Sequence, residues 1–148
     1  MDVLSAISGF YTDMENMAEE AQDQYDSMPE GFQSGQRGIA LEEAVSSLED
    51  IANGPPAVPE WVEKWFVGWK CSYHQLMNFG RQRGGEPRHV RVSNSAAALD
   101  ASISTIREYC DEHEEAASDE DAARIAVARE YCDELESHKD AAEAIEWT

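Results

Sequence analysis

An all-α domain of four to five helices is the fold this sequence predicts, on three observations. Apolar residues recur at steps of three and four through most of the chain, the period of one helix face. Glycine and proline gather at a few points, around 29–38, 54–59 and 80–87, and divide the chain into helix-length pieces. The hexapeptide Arg-Glu-Tyr-Cys-Asp-Glu occurs twice, at Arg107–Glu112 and Arg129–Glu134, and both copies continue a helical apolar stripe. At 148 residues the chain suits a single domain, 1–148, with its own core.

The first element is a helix with the seam Val3, Ile7, Phe10, Met14, Met17, Ala21 and Met28, flanked by Tyr25, stopping at Pro29-Glu30-Gly31. A loop of about ten residues, through Gly35 to Gly38, leads to a second helix. That helix carries Leu41, Val45, Leu48 and Ala52 on one face and ends at Gly54-Pro55-Pro56. Together they predict an acidic hairpin over 1–54. In the middle segment, 55–94, Pro59 opens a helix on which Trp61, Trp65, Trp69 and Tyr73 recur every four residues. With Val62, Phe66, Leu76 and Met77 beside them, these predict a Trp-rich central helix forming the core, with Gly68 its weak point. A basic loop follows over 78–88, and the alternation His89-Val90-Arg91-Val92-Ser93 predicts a short extended segment near 88–93.

The last segment, 95–148, predicts a second acidic helical hairpin. Ser95 caps a helix with the stripe Leu99, Ile103, Ile106 and Cys110; Ser118, followed by three acids, caps another with Ile125, Ala128, Cys132, Leu135, Ala142 and Ile145. At the 22-residue offset of the repeat, Ile103 falls on Ile125 and Cys110 on Cys132. Both cysteines extend apolar stripes, where a free thiol behaves as a small hydrophobe, so the repeat reads as scaffold.

Charge narrows the function classes. Thirty-one Asp and Glu face eleven Lys and Arg, for a net charge of −20. Residues 1–60 hold 13 acids and one base, 61–94 two acids and six bases, and 95–148 sixteen acids and four bases. The two acidic arms repel phosphate over a Debye length of about 8 Å, which argues against direct nucleic-acid binding even though Trp and Arg meet in the middle. Such a surface favours a basic partner. No run of eighteen apolar residues predicts a membrane span, the first residues have no basic n-region, and three irregularly spaced cysteines point to a reducing compartment, so a cytoplasmic location is expected.

The stretch from Tyr25 to Ser34, with Gly38-Ile39-Ala40-Leu41-Glu42-Glu43 and the residues to about 50, resembles small acidic proteins of bacteriophages and mobile elements. The resemblance covers about 30 residues. It implies a phage or mobile-element origin, and with it a host-cell setting.

Enzyme signatures are absent: there is no G-x-S-x-G, P-loop, G-x-G-x-x-G or H-E-x-x-H, and no carboxylate stands out as an acid or base. The expected protein is therefore not an enzyme and needs no cofactor. Its candidate partner-binding residues are two carboxylate ladders: Glu15, Glu19, Asp23, Asp26 and Glu30 in the first arm, and Glu108, Glu112, Glu115 and Asp119 in the last. At helical spacing these could stand in for phosphates, so the leading expectation is a DNA mimic that binds and inhibits a host nucleic-acid-binding or defence protein. One alternative is a structural or assembly protein dimerising through the first helix. Another is a zinc-binding interaction module using the two C-x-x-H pairs, Cys71/His74 and Cys110/His113.

Overall fold

The computed structural model describes residues 2–71 and 87–147. Among them the chain forms six helices: α1 (Val3–Ser27), α2 (Glu30–Gln33), α3 (Gln36–Ala52), α4 (Glu60–Phe66), α5 (Arg88–His113) and α6 (Asp119–Glu143). The all-α expectation holds. Helix α1 is the central element, with α3 along one flank, α5 along another, and α6 packed on α5.

The α1 seam explains that position. Val3, Ile7, Phe10, Met14, Met17 and Ala21 are all buried, as the three-and-four spacing requires. Burying each of the larger side chains stabilises the fold by roughly 1.5–3 kcal/mol. Because α3, α5 and their neighbours consume this seam within one chain, the stripe expected to pair with a second copy is not on offer. Side-chain bonds fix α5 antiparallel to α1: Arg88 donates to Gln24, Arg91 to Glu20, Ser95 to Asp13, and Ser102 Oγ to the Val3 carbonyl.

Three expectations need correction. The 29–38 stretch is not an open loop: one helical turn, α2, follows Pro29, and α3 begins at Gln36. The segment near 88–93 is not extended but opens α5 behind Pro87, so Ser95 lies inside that helix, buried, instead of capping it. Val92, Ala96 and Leu99 extend one helical stripe, and a five-residue alternation is too short to outweigh it. The tryptophan helix is also shorter and less central than its spacing suggests. α4 ends at Phe66, where Val67 turns extended and Gly68 takes φ +76°, a conformation that favours glycine. Val62 and Phe66 fill the core, whereas Trp61 and Trp65 sit half-buried at its margin and Trp69 is 41% exposed. An indole wants its N–H satisfied, and Trp61 Nε1 donates to the Arg124 carbonyl at 3.1 Å. Tyr73, Leu76 and Met77 lie outside the described residues.

The repeated hexapeptide is scaffold with a definite geometry. α6 runs antiparallel to α5, and each copy of the repeat holds the other. Arg107 donates to Asp133 at 2.9 Å and to Glu136 at 3.0 Å; Arg129 donates to Asp111 at 2.8 Å and to Glu114 at 3.1 Å. Each arginine therefore binds the aspartate of the opposite copy and the glutamate three residues beyond it. Between these clasps Cys110 and Cys132 are completely buried. Ser118 caps α6 as expected, its Oγ accepting from the Asp121 amide at 3.2 Å, with three acids in the first turn facing the positive helix end.

Burial raises the Cys110 thiol above its ordinary range and pushes Cys132 up to about 12. At pH 8 a thiol of that pKa is only about 10⁻⁴ thiolate. Both should therefore resist alkylation in the native protein and react at once in denaturant. Rapid native labelling, followed by mass spectrometry, would remove them from the core.

Candidate functional site

The first ladder is a real face. Glu15, Glu19, Asp23 and Asp26 all lie on α1 within a narrow arc, all exposed, and Glu30 follows beyond Pro29 in α2. The structure adds an opposite wall. Glu15, Glu19 and Asp23 line a groove of about 530 Å³ with Glu49 of α3, over a floor of Ala18 and Ala52. Small floor residues leave the four carboxylates standing above a concave surface. Glu49 was missed from sequence, although the hairpin register held the signal. Tyr25 meets Glu42 across the hairpin, and antiparallel pairing carried back from there sets Glu49 level with Ala18.

The second ladder is not a continuous helical stripe. Glu108 and Glu112 lie on α5, but that helix ends at His113, leaving Glu115 in the turn and placing Asp119 at the start of α6. The Ser118 cap restarts the helix there and breaks the stepping. Nor do the ladders adjoin. With Ser102 level with Val3, Glu108 lies about 9 Å beyond one end of α1 and Glu15 about 18 Å inside it, so some 27 Å of helix axis separates them.

Among the described residues, cation pairing leaves out both ladders, together with other acids such as Asp13, Glu42, Glu49 and Glu63. Six of the nine Lys and Arg among the described residues make ion pairs: Lys64 with Glu60, Arg91 with Glu20, Arg107 with Asp133 and Glu136, Arg124 with Glu120 and Asp121, Arg129 with Asp111 and Glu114, and Lys139 with Asp100. Hydrogen bonds from these arginines hold the Glu20, Glu114 and Glu136 carboxyls below the ordinary glutamate range. None of the nine ladder carboxylates has a Lys or Arg partner among the described residues.

The zinc alternative fares differently. Cys110 is sealed in the core, while His113 is exposed, its ring stacked on Tyr109 at 4.1 Å and its Nδ1 bonded to the Tyr109 carbonyl at 2.9 Å. Cys71 is buried and His74 lies outside the described residues. No group of three or more His, Cys, Asp or Glu side chains among the described residues is arranged to hold a metal ion. No helix among them is long and apolar enough to cross a membrane. Comparison with protein-family models, with curated proteins and with solved structures finds no match to this chain.

Proposed function

We propose that this is a non-catalytic acidic binding protein that occupies a basic surface on a partner protein, with carboxylates standing where nucleic-acid phosphates otherwise bind. One observation carries the reading. Among the described residues most cations are engaged by acids outside the ladders, and the ladder carboxylates face solvent without a cation, three of them lining, with Glu49, a preformed groove. From Glu15 to Asp26 the ladder places one carboxylate per roughly 4–6 Å of helix axis, against about 3.4 Å per phosphate along one DNA strand, so it mimics a sparse strand. The resemblance of residues 25–50 to phage and mobile-element proteins makes a host nucleic-acid-binding or defence protein the expected target, and inhibition the expected outcome.

The test is capture of basic proteins from a host lysate on immobilised protein at low and high salt. The same capture is run with the triple variant Glu15→Lys, Glu19→Lys, Asp23→Lys. Retention should fall with salt, because both charged surfaces release counterions on meeting, and the triple variant should weaken it by roughly 100-fold or more. The captured partner should lose bound DNA when the protein is added. Retention indifferent to salt and to the triple reversal would sink the proposal.

A further inference from the structure

Carboxylates steer and select, but tight interfaces draw most of their affinity from a few apolar anchors seated in pockets. The structure holds such a pocket on the same face of α1 as the acidic groove. A cavity of about 320 Å³ is walled by Leu4, Tyr11, Pro55, Pro56 and Val58, with Glu63 its charged liner. Its α1 wall continues directly into the groove: Leu4, Ser8, Tyr11, Glu15, Ala18 and Gln22 follow one another at steps of three and four, on one face of the helix. The opposite walls are continuous as well. Ala52 and Asn53 border the groove, and Pro55 and Pro56, two residues further on, border the cavity.

Three features suit the cavity to an occupant. Val58 is exposed in the linker between α3 and α4, apolar surface without cover among the described residues. The linker's prolines fix their own φ angles, so its rim loses little freedom when something binds. The lining itself is mostly apolar, with Leu4, Ile7, Tyr11 and the linker prolines beside Tyr131, which suits an apolar side chain.

We infer that the cavity and the groove form one composite docking surface for a basic segment of the partner. That segment places an apolar side chain of Leu, Met or Phe size in the cavity, a cationic residue beside it at Glu63, and further Lys or Arg side chains in the groove. Charge complementarity fixes the choice of occupant: every charged liner of either cavity is a carboxylate, on a chain of net charge −20. Geometry fixes the spacing. The α1 linings are centred about twelve residues apart, or about 18 Å, a span that five to six extended residues cover.

This inference rests on the proposed function, and two synthetic peptides separate them. One carries Phe, a lysine next to it, a five-residue Gly/Ser spacer and three lysines; the other has Ala for Phe. Titrations followed by amide NMR should show the Phe peptide shifting signals near Leu4, Tyr11 and Val58 and binding about 10-fold tighter than its Ala twin. Val58→Asp, an exposed linker change, should erase that difference while leaving salt-sensitive binding at the groove, and Glu63→Gln should weaken both peptides alike. Equal affinity of the two peptides at low salt overturns the anchor and leaves the charge reading standing. Binding by neither overturns both.

Discussion

Phe10→Ala should lower the unfolding free energy by about 3–5 kcal/mol, the cost of deleting a large core ring and leaving the hole behind. Phe10 is 1% exposed, lies midway along the buried α1 seam and packs edge-on against Tyr11 at 5.1 Å. Helices α3, α5 and α6 all reach the core around it, and none can close the gap without giving up contacts elsewhere. Thermal unfolding followed by circular dichroism should show a midpoint lower by about 10 °C or more. Phe32→Ala is the matched control: Phe32 is 66% exposed on α2, and its loss should stay within about 0.5 kcal/mol. A Phe10 variant as stable as the Phe32 variant would mean that α1 is not the centre of the core.

Gly38→Ala should be the more damaging of two otherwise equivalent glycine changes. A Cβ at position 38 would lie 2.3 Å from the Gln33 carbonyl oxygen and 2.6 Å from the Gln33 Cα. Those are backbone atoms of α2, so relief requires the short helix to move off α3. Overpacking of this kind costs about 1–3 kcal/mol. Gly31, inside α2 itself, has nothing within 4 Å of its Cβ direction. Gly31→Ala should therefore be neutral or stabilising by roughly 0.4–1 kcal/mol through a less flexible unfolded chain. Denaturant melts of the two variants should move in opposite directions, or at least separate by more than 1 kcal/mol. Identical midpoints would show that α2 does not rest on α3 as described.

The long helices were legible because their signals are long. Six seam positions within the 25 residues of α1 leave it no competing period, and the Ser118 cap with its acidic first turn marks the start of α6 without ambiguity. Short signals misled. Five alternating residues at 89–93 look like a strand in isolation, yet Val92 belongs to a helical stripe that runs on to Cys110. Four-residue aromatic spacing from Trp61 to Tyr73 suggested a long helix, but spacing says nothing of Gly68, whose positive φ is set by the turn toward the Asp2–Lys70 bridge. At the candidate site, exposed carboxylates on α1 could be read from their offset to the seam. The groove could not, because its depth depends on alanines at 18 and 52 brought to one floor by two different helices of the hairpin. The apolar cavity was less legible still: its walls come from α1, the 55–58 linker, α4 and α6, and no local pattern joins them.

The reciprocal arginine clasp has a consequence for assembly. An antiparallel pair in which each half binds the other through the same residues has an approximate two-fold axis, passing between Cys110 and Cys132. Such a ribbon is a palindrome. α5 of one molecule presents to α5 of another the same Arg, Asp and Glu that it presents to its own α6. What directs pairing inward is the turn at 114–118, a tether short enough to hold α6 at an effective concentration in the millimolar range. Below that concentration, closure within the molecule outruns strand exchange between molecules. The duplicated hexapeptide thus supplies a self-complementary joint, and the length of five residues decides that the joint closes on itself.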